Sequence, residues 1–154
     1  MKITIICIGK NKDRYIQEAV LDFQKKIRPL ANLTFLELKE SKGNLPKEKI
    51  LKTEAELIRK ALRPESKTIL LDVKGKEFST EQAATIMKRE KDLGSGNITF
   101  IIGGAYGVDP LLRMEVKEVW SLSQMTFSHQ ITRIILLEQI YRMLTLVHGI
   151  PYHK

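Results

Sequence analysis

The stretch NITFIIGGAYGVDP (residues 97–110) decides how the rest of the chain is read. Residues 98–102 are β-branched apart from Phe100, the composition of a strand buried on both faces. The run passes straight into Gly103 and Gly104, then Gly107, and reaches Asp109-Pro110, a capping carboxylate followed by a first-turn proline. A buried strand, a glycine turn and a helix start in that order form one unit of a parallel α/β sheet. Ligands of such sheets bind outside the carboxyl ends of the strands, and glycines let backbone approach a ligand closely. The spacing matches neither the GxGxxG dinucleotide fingerprint nor a P-loop ending in Gly-Lys-Ser/Thr. It points to a small-molecule pocket without ordinary phosphate cradling. The plainer alternative is a tight strand–helix turn with no ligand.

The same alternation extends outward. KITIICIG (2–9) predicts a first buried strand in which Cys7 is an inert core thiol. Asp13 is then expected to cap a helix whose Ile16, Val20, Phe23 and Ile27 share one face, with Pro29 as its stop. LTFLEL (33–38) predicts a strand, and the polar, lysine-rich ESKGNLPKEK (40–49), with Gly43 and Pro46, a mobile loop. A second amphipathic helix should bury Ile50, Leu57, Ile58, Ala61 and Leu62 and end before Pro64. KTILLDV (67–73) is the third strand. Ser79 and Gln82 form a capping-box pair that opens a helix through Ala83, Ile86 and Met87 to Gly94. VWSLS (119–123) is the fifth strand. The longest helix runs from about His129 to His148, stopped by Gly149 and Pro151. The fold class is therefore α/β, a parallel-rich sheet covered by helices on both faces, in a single domain spanning 1–154.

Composition agrees. The 154 residues are 43% hydrophobic and 29% charged, which is globular and neither disordered nor membrane-like. No apolar run approaches the roughly 20 residues of a membrane span, and the apolar stretch from Ile3 to Ile8 is too short for a signal-peptide core. The single cysteine excludes an intramolecular disulfide and a cysteine-based zinc site, and the expected location is cytoplasmic. His129, His148 and His153 lack the close spacing of metal ligands, so no metal is expected. The net charge of +8 is uneven: residues 1–63 hold 15 basic and 8 acidic side chains, residues 64–154 hold 11 and 10. Such an excess suits a polyanionic partner such as nucleic acid, though an inert solubilising surface would look similar.

Other segments can carry chemistry beside the glycine turn. SLSQMTFSHQ (121–130) offers backbone donors and acceptors with Met and Phe surfaces that suit an adenine ring, or it is a packed connection. Asp72, at the end of the third strand, could bind a ligand hydroxyl or be a structural carboxylate. The tail Gly149-Ile150-Pro151-Tyr152-His153-Lys154 is either a frayed end or an RNA contact by stacking and charge. Eleven residues between 131 and 147 are apolar, too many for one buried stripe, so a homodimer interface is expected there. Glu138 and Arg142 are spaced for an i,i+4 ion pair, and the functional alternative places Arg133 or Arg142 on RNA phosphate.

GGAYG, WSLSQMTFSHQ, RIILLEQIYR (133–142) and PYHK together resemble the ribosomal RNA large-subunit methyltransferase H family, of the SPOUT class. The similarity covers the whole chain, from KITIICIGK to the final residues. It implies a SPOUT α/β domain with a C-terminal trefoil knot, acting as a homodimer. It also implies S-adenosylmethionine as cofactor and N3 of a pseudouridine in 23S ribosomal RNA, on assembled ribosomes, as the methyl acceptor. By the same resemblance Leu71, Gly103, Gly104, Leu122, Ser123, Gln124, Met125, Thr126, Phe127 and Ser128 hold the cofactor. His129, Arg133, Glu138, Arg142, Tyr152, His153 and Lys154 face or support the RNA site, with lysines of segment 39–60 attracting phosphate. The N3 proton would leave to His153, to His129, to solvent or to the RNA. Many relatives carry Pro where this chain has Ala105 and Ser128; neither change removes a chemical group. The competing classes are a non-catalytic ribosome- or RNA-binding module and a nucleotide-binding α/β enzyme with a different cofactor.

Overall fold

A computed structural model describes residues 1–41 and 43–152. Five strands, β1 (Lys2–Ile8), β2 (Asn32–Leu38), β3 (Lys67–Glu77), β4 (Asn97–Ile102) and β5 (Glu118–Ser121), form one sheet in the order β2-β1-β4-β3-β5. Every pairing is parallel. The helices are α1 (Arg14–Ile27), α2 (Lys47–Ala61), α3 (Thr80–Leu93), α4 (Pro110–Glu115) and α5 (His129–Val147). Among the described residues no helix is long and apolar enough to cross a membrane.

Alternating side chains of each central strand feed two separate cores, as a strand buried on both faces requires. Ile3, Ile5 and Cys7 of β1 pack with Phe100 of β4 against α1, α3 and α5. Ile6 and Ile8 pack with Ile101 and Leu70 against α2 and α4. Cys7 has no exposure, and burial pushes its thiol up to about 12, so it is inert as expected. Trp120 of β5 closes the larger core between Phe78 and Phe100, its indole N–H donating to Glu118 at 3.0 Å.

Local signals set most helix ends. Ser79 accepts from Gln82 N while the Gln82 side chain accepts from Ser79 N, completing the expected capping box. Asp109 accepts from Leu111 N at 2.9 Å and Leu112 N at 3.2 Å, with Pro110 in the first turn. Asp13 departs from expectation: it occupies the cap position of α1, but its carboxylate makes no capping bond. Helix α2 begins at Lys47, inside the stretch read as a loop. Its buried side is Ile50, Leu51, Glu54, Ala55 and Ile58, with Leu57 and Leu62 only half-buried. Its stripe is thus rotated toward its N-terminal half.

Strand β3 also runs longer than its sequence suggests. It pairs with β5 through Leu71↔Trp120, bulges over Asp72–Gly75, and rejoins at Lys76↔Trp120. A Cβ on Gly75 would come within 2.5 Å of the Trp120 backbone carbon, so the bulge closes only over glycine. Strand β5 stops at Ser121, earlier than expected, and releases Leu122 and Ser123 into a loop.

The two aspartates separate cap position from cap bond. Asp109→Ala is expected to cost about 1 kcal/mol in urea unfolding, with an unchanged m-value. Asp13→Ala should stay within about 0.5 kcal/mol of the parent. Equal losses at both sites would contradict this account.

Candidate cofactor pocket and helix clamp

The carboxyl ends of β3, β4 and β5 converge on a cavity of about 550 Å³. The β3 bulge contributes Leu71, Asp72 and Val73, the turn after β4 contributes Gly103 to Ala105, Gly107 and Val108, and the loop after β5 contributes Leu122, Ser123 and Met125 to Ser128. His129 and Thr132 of α5 complete the wall. Nine of the ten residues expected to hold a cofactor therefore share one cavity. Gln124 is the exception: it is exposed and lines an adjoining groove with Glu77, Phe78 and Ser121, which shares Leu122 and Ser123 with the cavity.

Each wall is shaped by its own chemistry. Gly107 N donates to Gly104 O at 3.0 Å, and Gly107 has φ +83°, a conformation that glycine adopts without steric cost. A Cβ on Gly103 would meet Gly107 O at 2.6 Å and Val108 Cγ2 at 2.7 Å. The turn thus leaves bare backbone facing the cavity. The β5–α5 loop is held by hydroxyls: Ser121 donates to Ser123 O at 2.9 Å, Ser123 Oγ accepts from Met125 N at 3.0 Å, and Ser128 Oγ caps α5. Asp72 Oδ1 accepts from Lys74 N at 2.8 Å and Oδ2 accepts from Arg113 Nε at 3.2 Å, so its carboxylate fixes the bulge to α4. Sequence reasoning missed Val73, Val108 and Thr132 because no motif marks them. Only the loops' convergence does.

On the far side of the glycine turn lies Glu54, 5% exposed, whose Oε2 would stand 2.9 Å from a Cβ on Gly104. Burial raises its carboxyl above the usual range, opposed by a 3.4 Å bond from Ser41 N.

The expected RNA-facing set does not gather at this cavity. His129 is there, and burial first, then the Arg133 charge, lower its imidazole below 6.5. Arg133 has no exposed surface, so it cannot meet an RNA phosphate, and that expectation is corrected. One terminal nitrogen donates to Ile8 O at 2.6 Å and Gly9 O at 2.9 Å, and the other reaches Asn11 Oδ1 and, at 3.3 Å, Glu37. A planar fork of fixed donors suits this cluster of carbonyls. Arg133 thereby clamps the first turn of α5 to the end of β1.

Arg142 lies 13 residues beyond His129, about 20 Å along a helix rising 1.5 Å per residue. It makes the expected ion pair with Glu138, and its guanidinium lies 5.2 Å from the Tyr152 ring centroid. Tyr152 also stacks edge-on against Tyr141 at 4.6 Å and is 37% exposed. Arg142 and Tyr152 thus form a cluster at the opposite end of α5. His153 and Lys154 lie outside the described residues. Along α5, Ile131, Ile134, Tyr141, Leu146 and Val147 remain only partly buried.

Arg133→Met would leave the Ile8 and Gly9 carbonyls without their donor at no great cost in volume. Unfolding free energy should fall by about 2–4 kcal/mol, and Arg133→Lys should restore only part of it, since an ammonium lacks the fork. Full recovery with lysine in a denaturant titration would show that charge alone is sufficient.

The family model described as "Predicted SPOUT methyltransferase" matches residues 1–153. The chain is 38% identical to the ribosomal RNA large subunit methyltransferase H of Carboxydothermus hydrogenoformans and 39% identical to that of Fusobacterium nucleatum, over 100% of both chains in each case. In shape it resembles a methylase-family protein from Haemophilus influenzae, with a TM-score of 0.57 at 10% identity, covering 99% of this chain and 70% of that one; this likeness speaks for the fold alone. Whole-chain agreement in sequence places the protein in the ribosomal RNA large-subunit methyltransferase H family of SPOUT methyltransferases.

Proposed function

We propose that this protein is an S-adenosylmethionine-dependent methyltransferase, acting in the cytoplasm on N3 of a pseudouridine in 23S ribosomal RNA of assembled ribosomes. The observation that carries this reading is the cavity at the carboxyl edge of the sheet, where three strand-end loops meet the start of α5. Its walls fit the cofactor. Leu71, Val73, Met125 and Phe127 supply apolar surface for an adenine ring, and the bare 103–107 backbone admits a close ligand. S-adenosylmethionine supplies an already activated methyl group. The protein's task is therefore placement, which a rigid pocket performs by holding the reactants in line.

His129 is the pocket's own base. Its lowered proton affinity keeps the imidazole neutral near pH 7 and free to accept the N3 proton. Arg142 and Tyr152 cannot reach the same cavity within one chain, about 20 Å away along α5. A homodimer that pairs the partly buried faces of two α5 helices in opposite directions would bring one subunit's Arg142–Tyr152 cluster to the other's pocket. The unburied apolar side chains of α5 support that arrangement. The trefoil knot of the SPOUT class is part of the proposal.

Calorimetry with S-adenosylhomocysteine is expected to show saturable binding, with none for ATP or NAD. The protein should then transfer methyl to undermodified ribosomes. Binding of ATP or NAD in its place would favour a different nucleotide enzyme, and ribosome binding without cofactor binding a non-catalytic module. Deleting residues 152–154 should abolish transfer while leaving S-adenosylhomocysteine affinity within about twofold. Normal turnover by the truncated protein would remove the tail from the mechanism.

The histidine also gives a pH signature. In the fold His129 faces Arg133 and Lys12, which lower its proton affinity, and Glu40, which raises it, with burial dominant. Below about 6.5 the unfolded chain takes up a proton that the native site resists. Native stability is therefore full above that value and declines as pH falls through it. Wild type should lose more stability than His129→Gln between pH 7.5 and 5.5, read as urea midpoints. The acid limb of single-turnover transfer should have its midpoint below 6.5.

A further inference from the structure

Tyr106 stands at the crest of the 103–107 turn, 56% exposed, while its neighbours Ala105 and Gly107 both line the cavity. A wet aromatic ring at the tip of a glycine turn contributes nothing to either core, and Tyr106 belongs to neither. Lys47, the first residue of α2, holds its ammonium 5.9 Å from the ring centroid. Exposed Lys49 and Lys52 follow on the same helix, and exposed Lys10 and Lys39 sit just past the carboxyl ends of β1 and β2, the edge at which the cavity opens.

An exposed ring beside a cation is the pairing that receives an unstacked nucleotide: the base lies on the ring and the cation meets its phosphate. We propose that Tyr106, with Lys47, is a stacking platform for an unpaired base flanking the methylated nucleotide. This rests on the methyl-transfer reading above and adds a substrate contact to it. The surrounding lysines favour a polyanion over a protein surface as the occupant. The ring lies on the lip of the pocket and contributes to RNA affinity without touching the cofactor.

The test uses the full-length protein with undermodified ribosomes. Tyr106→Ala should raise the KM for ribosomes about tenfold, the lower range of stacking losses. Tyr106→Phe should restore it, and calorimetric affinity for S-adenosylhomocysteine should be unchanged in both. Lys47→Ala should reduce the salt slope of ribosome binding by about one. Equilibrium binding to ribosomes, measured by sedimentation without cofactor, is read in parallel. If wild type binds ribosomes but transfers no methyl, the catalytic reading fails, while a binding loss confined to Tyr106→Ala still upholds the platform. An unchanged KM and unchanged sedimentation for Tyr106→Ala would overturn it. Equal weakening of S-adenosylhomocysteine would also overturn it and make Tyr106 part of the pocket wall.

Discussion

The buried guanidinium of Arg133 is the interaction on which the site depends. A full charge without solvent contact is costly unless its donors are matched, and here two backbone carbonyls, an amide oxygen and a carboxylate receive the two terminal nitrogens, while the buried Nε has no partner among the described residues. The carbonyls belong to Ile8 and Gly9, at the end of the central strand β1. The clamp therefore fixes the start of α5 against an interior strand, paired on both sides. His129 and Thr132, which wall the cavity, ride on that part of the helix. The Arg133 charge also helps keep His129 neutral. One side chain thus positions His129 and adds to the effect of burial in lowering its proton affinity.

The second constraint is directional. In an all-parallel sheet every strand delivers its following loop to the same edge, so the β3, β4 and β5 loops meet without any long-range pairing of their own. The helices return the chain to the opposite edge. Arg142 and Tyr152 therefore sit at the wrong end of α5 for their own pocket, whatever their side chains do. The distance is a consequence of helix length, and the proposed homodimer is the arrangement that would span it. The apolar side chains that α5 leaves partly uncovered are what such a pairing would use.

Glycines and hydroxyls divide the shaping of the pocket. Gly75 lets β3 cross the Trp120 backbone, and Gly103 lets the next turn fold onto Gly107. The serines at 121, 123 and 128 satisfy backbone groups that a loop would otherwise leave to water. Asp72 ties the β3 bulge to α4, while Glu54 lies behind Gly104 on the far side of the glycine turn.

The sequence by itself determined the strand and helix alternation, the capping box at Ser79, the cap at Asp109 and the two-faced burial of β1 and β4. These follow from local periodicity and from donors within three residues of their acceptors. Nine of the ten residues that the family motifs single out for a cofactor line one cavity. Tertiary structure alone decided the remainder. Arg133 is buried because carbonyls more than a hundred residues away in sequence surround it, and no spacing rule encodes that. Glu54 shares the buried face of α2 with Ile50 and Ile58, four residues to either side, but only the packed structure sets it behind Gly104. Gln124 leaves the pocket because β5 ends at Ser121 and the loop hydroxyls then set its course. For Arg133 the deciding partners are distant along the chain, and only folding brings them within a hydrogen bond's reach.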